Sequence, residues 1–442
     1  MSNLDIAEKR MPQDGVFRIN YYDKANNQKF DLDFRVATCS GIVGENVVIR
    51  ILDSRKANVG IDNLGHSPHV IDSFKRLLKS SAGMLLVSGP TGSGKSSSLY
   101  GALKYVYNPG IKIITAEDPI EYSFPGIMQT QTNVKINLTF VRLLKSFLRL
   151  DPDVILVGEM RDNETSSIGF DAAQTGHLML STIHTNDSVS AISRLLDMDI
   201  EHGQIANCLL AVLAQRLIRK ICPFCKKDYV PGEEEWGVLF DSYPSDLQFY
   251  TGEGCESCNY SGYKGRTLIS EIFVIDKEIG AAISKGSSEG EIKKIAIEAG
   301  MKTMLDDGLT KMHDTTLYEI LRVVPHDMIE LFRSRKQIQA DTNDLIDNLF
   351  GGGGGKVQVD LNPKTFMLSD PGAQQSLIDE MFEKYSTLNK INEPTYTGDS
   401  ALFAEFITEC YQNISQQYQC ETINVTIRRE QDKTEISALP GR

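Results

Sequence analysis

The centre of this 442-residue sequence predicts an α/β fold, a mostly parallel sheet with helices on both faces. Three observations predict it. Apolar runs at 84–87, 111–115, 154–157 and 178–182 alternate with helix-like patterns, as successive strand–helix–strand units require. The run Met84-Leu85-Leu86-Val87-Ser88 leads into a glycine-rich turn and then a helix-compatible segment, 97–103. Composition also changes sharply on both sides of this core. The chain therefore divides into a partial β-rich domain at 1–62, an α/β core at 63–221 and a cysteine-rich module at 222–266. A helical domain at 267–340, a glycine-rich linker at 341–355 and a small α+β domain at 356–442 follow.

In the first domain, Phe17-Arg18-Ile19-Asn20-Tyr21 and the segment 30–36 alternate apolar with polar residues, with a turn at 24–27 between them; Val47-Val48-Ile49-Arg50-Ile51-Leu52 is a third strand. The glycine-rich turn reads Gly89-Pro90-Thr91-Gly92-Ser93-Gly94-Lys95-Ser96, followed by Ser97, the full pattern of a phosphate-binding loop. Glycines let backbone N–H groups wrap phosphates, and the helix dipole adds positive potential. Lys95 reaches the β- and γ-phosphates of a nucleotide such as ATP, and the Ser96 hydroxyl ligates Mg²⁺.

Two further strands end in carboxylates. Val154-Ile155-Leu156-Val157 delivers Gly158-Glu159, a Walker-B arrangement with Gly158 where an acidic residue usually stands, so Glu159 is read as the water-polarising group. The strand at 113–115 runs into Glu117-Asp118-Pro119-Ile120-Glu121, three carboxylates in five residues that need a cation or an arginine. Glu117 is the chosen member. His177 and His184 flank one strand seven residues apart and face opposite sides, so they do not share a metal; His177 is read as a γ-phosphate sensor.

Cys222-Pro-Phe-Cys225 and Cys255-Glu-Ser-Cys258 form two tight pairs separated by 29 residues, a donor set suited to tetrahedral structural Zn²⁺. Cys39, Cys208, Cys410 and Cys420 fit ordinary thiols. Helices are expected at 278–283, 289–299 and 317–322. The five glycines at 351–355 make a flexible tether spanning roughly 12 Å. Beyond it, Leu377, Ile378, Met381, Phe382 and Tyr385 form one helical stripe, and Leu402, Phe403, Phe406, Ile407, Cys410, Tyr411 and Ile414 a second. Ile423, Val425 and Ile427 alternate as a strand. This tail is either a partner-binding module or an engineered addition.

The net charge of −13 and pI near 5.1 disfavour a large nucleic-acid surface. No apolar stretch approaches the ~20 residues of a membrane helix, and residues 1–15 lack a signal-peptide core. Membrane contact is expected only through partners.

Four blocks taken together resemble a known family. Gly-Pro-Thr-Gly-Ser-Gly-Lys-Ser (89–96), Thr-Ala-Glu-Asp-Pro-Ile-Glu-Tyr (115–122), Leu-Asp-Pro-Asp-Val-Ile-Leu-Val-Gly-Glu-Met-Arg-Asp (150–162) and Thr-Gly-His-Leu-Met-Leu-Ser-Thr-Ile-His-Thr-Asn-Asp (175–187) look like the Walker A, Asp, Walker B and His boxes of type II secretion and type IV pilus-assembly ATPases. The opening, residues 4–15, is also similar, near the start of that family's second N-terminal domain, so an upstream docking region is expected to be missing. The resemblance implies a RecA-like core in a cytoplasmic homohexamer. Its ATP-driven domain rotation moves a pilin or pseudopilin through an inner-membrane platform protein. It further implies that Arg35 and Arg50 reach the γ-phosphate, and that Arg149 matches another family arginine. Lys145 replaces the usual Arg and Leu150 the usual Gln. The tetracysteine module, with Gly262-Tyr263-Lys264-Gly265-Arg266 after it, favours assembly or secretion over retraction. A competence motor keeps the same chemistry. A zinc-stabilised scaffold that binds nucleotide but hydrolyses little is the reading from another class.

Overall fold

In the computed structural model, alternating residues at the start of the chain pair into an antiparallel sheet. Its strands are β1 (Gln13–Asp23), β2 (Gln28–Ser40) and β3 (Glu45–Asp53), in that order. The register sets Phe17 opposite Phe34, their rings stacked with centroids 4.8 Å apart, and Arg35 opposite Arg50. The structure describes residues 4–23, 27–53, 60–245, 247–335, 364–368, 423–430 and 433–440, with isolated positions between 374 and 412. Residues 24–26 of the turn expected at 24–27 lie outside them.

The central sheet has seven strands. It is built from β4 (Gly83–Ser88), β5 (Ile113–Glu117), β6 (Met128–Gln131), β7 (Val154–Val157), β8 (Leu178–Ile183), β9 (Leu209–Ile221) and a last strand, β12 (Tyr263–Val274). Between the last two, β10 (Lys226–Tyr229) and β11 (Phe249–Gly252) pair as a separate ribbon. The sheet order is β12-β9-β4-β8-β7-β5-β6, parallel throughout except that β12 runs antiparallel to β9.

Burial on both faces explains the continuous apolar runs. Met84 and Leu86 enter one core with Ile155, Phe147 and Phe170; Leu85 and Val87 enter the other with Phe74, Leu103 and Leu180. Each fully buried leucine contributes roughly 1.5–3 kcal/mol. The covering helices are α1 (Pro68–Leu77), α2 (Lys95–Val106), α3 (Phe140–Phe147), α4 (Asn163–Gln174), α5 (Ala191–Leu196) and α6 (His202–Cys208). Side chains cap several of them: Thr139 accepts from Arg142 N, and Asp162 from Thr165 N at 2.8 Å.

A short α7 (Glu233–Trp236) lies in the cysteine module. After β12 come α8 (Lys277–Ser284), α9 (Glu289–Glu298), α10 (Met304–Thr310) and α11 (Leu317–Val323). The region expected to be helical from residue 267 therefore starts with a strand of the central sheet, and the boundary expected at 266 falls inside β12. Exposed Lys264, Gly265 and Arg266, then buried polar Ser270 and Glu271, break the apolar alternation that would have revealed it.

The second unit, residues 330–442, holds the antiparallel strands β13 (Lys364–Leu368), β14 (Ile423–Glu430) and β15 (Lys433–Pro440). Ile378, Met381, Ile407 and Val425 are buried there. The linker at 341–355 and Leu377, Tyr385, Leu402, Phe403, Phe406, Cys410, Tyr411, Ile414 and Cys420 lie outside the described residues. Among the described residues no helix is long and apolar enough to cross a membrane.

Candidate nucleotide site

Because β4, β5, β7 and β8 run parallel, their carboxyl ends meet at one edge, where the loops after the strands converge. The phosphate loop leaves β4 there. Gly89, Gly92 and Gly94 take φ values of 142°, 82° and 91°, and a Cβ on Gly89 would stand 2.6 Å from both the Gln215 carbonyl and the Ser93 hydroxyl. Side chains other than hydrogen fit neither the torsion nor the space. The loop then opens α2 with Thr91, Gly92, Ser96 and Ser97 exposed, so its helix N-terminus faces solvent. Lys95 Nζ donates to the carbonyls of Gly89 (2.7 Å) and Pro90 (3.1 Å). Burial, only partly offset by the Glu159 charge, lowers its pKa.

Glu159 stands beside this loop. Gly158 N donates to Ala116 O (2.8 Å) and Met160 N to Thr182 O (2.9 Å), stitching the turn after β7 between β5 and β8. The carboxylate is 8% exposed, ion-paired to Arg161 Nε and 3.7 Å from His184 Nε2. Burial depresses the His184 pKa, helped by the Lys95 charge, so its ring is neutral at pH 7.

His177, the histidine chosen from the sequence as the sensor, is at the other edge. Its carbonyl accepts from Gly83 N (3.1 Å), at the start of β4, and its Nδ1 lies 3.0 Å from Ala172 O. The six residues of β8 separate the two edges, about 20 Å. Within this chain the histidine at the phosphate edge is His184. Arg149 is exposed in the turn before β7, also at the amino edge, where the neighbouring Leu150 carbonyl takes Lys112 Nζ. It does not join the phosphate loop of its own chain. Lys145 pairs with Glu164 at 2.7 Å.

Glu117 is 5% exposed, and its carboxylate accepts from Tyr100, Thr115 and Gln129, the last at 3.1 Å. It ties α2 to β5. The arginine expected to compensate the acidic run is Arg35, and it meets Glu121 rather than Glu117: Nη1 lies 3.2 Å from Glu121 Oε1, and Nη2 donates to Ile120 O at 3.1 Å. Arg50, its cross-strand partner, is exposed.

Two residues of β9 support the loop and were not singled out from the sequence. Gln215 Nε2 donates to Ser93 O (2.8 Å) while its Oε1 accepts from Ser98 (2.7 Å). Arg216 Nη2 donates to Asn186 O (2.7 Å). Their signal was present: a polar pair interrupting an otherwise apolar run at 209–218.

The four expected cysteines form one cluster, every Sγ within 4.8 Å of the others, with pairs at 3.8, 3.9 and 3.8 Å. Four thiolates at the usual Zn–S length of about 2.3 Å stand roughly 3.8 Å apart, so the cluster fits Zn²⁺. These spacings are far from a disulfide length. Cys39 and Cys208 are free.

The family described as "Type II/IV secretion system protein" matches residues 1–322. The chain belongs to that family. It is 45% identical over 325 residues to the type IV pilus assembly ATPase PilB of Thermus thermophilus, covering 73% of this chain and 36% of that protein. It is 44% identical over 326 residues to the type II secretion system ATPase E of Vibrio cholerae, covering 73% and 63%. The first-ranked curated relatives are thus matched over about one third to two thirds of their length. Among solved structures, the ATPase DotB of Yersinia pseudotuberculosis superposes with a TM-score of 0.51 at 18% identity, over 73% of this chain and 76% of that one, a likeness of fold.

Proposed function

We propose that this chain is the ATP-hydrolysing motor of a type II secretion or type IV pilus system, acting in the cytoplasm against the inner membrane. The observation that carries this reading is the convergence of Lys95, Glu159 and His184 on an open phosphate loop in a chain of this family. ATP lies along 89–97, with Lys95 on its β- and γ-phosphates and Ser96 as the protein ligand of Mg²⁺. Glu159 orients the attacking water once Arg161 releases it, and neutral His184 donates a hydrogen bond toward the terminal phosphate.

Arg35 and Arg50, and Arg149 from a neighbouring subunit, serve a homohexamer in which domain closure completes the site. Partners are the inner-membrane platform and cytoplasmic-domain proteins of the machine; nucleic acid is not one. Zn²⁺ held by Cys222, Cys225, Cys255 and Cys258 supports folding of its module. In this reading the domain boundaries proposed from the sequence are kept as proposals at 62 and 221; β12 runs through the one at 266, and the second compact unit begins at Glu330, ahead of the proposed linker.

The Arg161–Glu159 ion pair favours one other reading, a nucleotide-binding scaffold with little hydrolysis. Mg²⁺-dependent turnover by the purified oligomer, compared with Glu159→Gln, decides between them. Turnover abolished with binding kept supports the motor; equal, negligible turnover in both supports the scaffold.

A further inference from the structure

Arg216 is buried beneath the phosphate loop, 7% exposed, with one half of its guanidinium engaged and the other not. Nη2 donates to the Asn186 carbonyl at 2.7 Å, whereas Nη1 is fully buried and has no hydrogen-bond partner among the described residues. That free nitrogen abuts the first glycine of the loop, 3.2 Å from where a Gly89 Cβ would be. The Ser93 hydroxyl, 3% exposed and also without a partner among the described residues, lies 2.6 Å from the same point. A buried donor without an acceptor costs free energy, more so when charged, so it persists where another state of the molecule satisfies it.

Such a state follows from Lys95. Its Nζ holds the Gly89 carbonyl at 2.7 Å, and the same ammonium must leave that carbonyl to reach bound phosphates. The carbonyl then loses its donor while a cationic donor stands unengaged against the same glycine. We infer that Arg216 is a positioning residue of the phosphate loop, taking over the Gly89 carbonyl when Lys95 moves to the nucleotide. The inference rests on the nucleotide-binding reading above. The guanidinium fork suits the task, because Nη2 keeps Asn186 while Nη1 takes Gly89, which a lysine ammonium on a single stem cannot reproduce at both points. The same arginine thereby couples the loop to the turn after β8 that carries His184, Asn186 and Asp187.

The test uses the full chain and two readouts. In the first, MgADP affinity is measured for wild type and Arg216→Lys; the expected loss is roughly tenfold, the scale of one charge-assisted hydrogen bond. In the second, thermal melting without nucleotide is compared for Arg216→Lys alone, Lys95→Ala alone and the double variant. With Lys95 in place, Arg216→Lys should change the midpoint by no more than about 2 °C. With Lys95 already removed, Arg216 holds the vacated carbonyl, and Arg216→Lys should lower the midpoint several degrees further. Unchanged MgADP affinity, or equal destabilisation in both backgrounds, overturns the inference. Failure of wild type to bind MgADP refutes the nucleotide reading instead, and the melting comparison still decides the carbonyl exchange.

Discussion

At its carboxyl edge the seven-stranded sheet gathers a lysine, a carboxylate, a neutral histidine and a half-engaged buried arginine around one glycine loop. At its amino edge, about 20 Å away, it presents His177 and Arg149 with only backbone partners or solvent around them. Both edges are polar, and the block at 175–187 supplies a histidine to each. The difference is direction. Parallel strands send every chain exit to the same side, so groups that follow a strand converge and groups that precede one are left on the far side. Within one chain, then, His177 and Arg149 stand about 20 Å from the phosphate loop.

The largest expected effect tests the carboxyl edge itself. Glu159→Gln should reduce ATP turnover at least about a hundredfold while MgATP binding stays near wild type, because the carboxamide does not polarise water; turnover assays and equilibrium binding check it. Next comes the direct contrast between edges. His184→Ala should lower turnover about tenfold, the value of one hydrogen bond to a developing charge, and His177→Ala less than twofold in dilute, unassembled protein. Equal losses would erase the distinction, and a His177 effect that appears only as protein concentration rises would show the amino edge serving an adjacent subunit.

Arg35 sharpens the comparison from the N-terminal sheet. Arg35→Ala removes its hold on Glu121 and Ile120 and should depress kcat several-fold with KM little changed, if the arginine acts in a closed assembly. A rise in KM alone would restrict it to anchoring the acidic loop. Stripping metal from the cysteine cluster should lower the melting midpoint by several degrees and leave nucleotide affinity unaltered, since the cluster lies on neither edge; melting scans with and without a thiol-compatible chelator measure it.

The smallest effect is acid dependence at Glu319. Burial raises this carboxyl's pKa, but the guanidinium groups of Arg219 and Arg322 outweigh it and bring the value from 4.5 down to about 2. A depressed carboxylate stabilises the fold above its unfolded pKa and ceases to as it protonates. The stability difference between wild type and Glu319→Gln should thus be constant above pH 5 and shrink between about 4.5 and 2, read by denaturant melts across that window.

The phosphate loop and the strands at 84–87 and 154–157 were legible because glycine torsions, strand burial and helix start each leave a separate mark on the same residues. The cysteine cluster was legible for a similar reason, since two tight pairs imply one tetrahedral centre. Which histidine lies by the phosphate loop was not legible, because a seven-residue spacing specifies faces of a strand but not which end carries the chemistry; that requires knowing the strand's direction in the sheet. Strand β12 was hidden by its own buried polar groups. Glu271 is 1% exposed and accepts from Ser188 and Met304, so a residue type that reads as surface lies in the interior. Arg216 did leave a mark, as half of a polar pair in an apolar run, but the run alone does not say what the interruption is for until its partner Asn186 is in view.

The pair β9–β12 also has a mechanical meaning. β9 lies against β4 only as far as Ala214, opposite Ser88, and then runs on to Ile221 paired with β12 alone. This leaves a two-stranded beam roughly 24 Å long, anchored beside the phosphate loop and tipped by the four cysteines. Gln215 and Arg216 sit at its root. The beam is braced beyond that root as well: Ile221 N donates to Asp314 O at 2.8 Å, and Arg219 pairs with Glu319 on α11. A load on the cysteine tip is therefore shared with α11 before it arrives at the root, which shields the glycine loop from it.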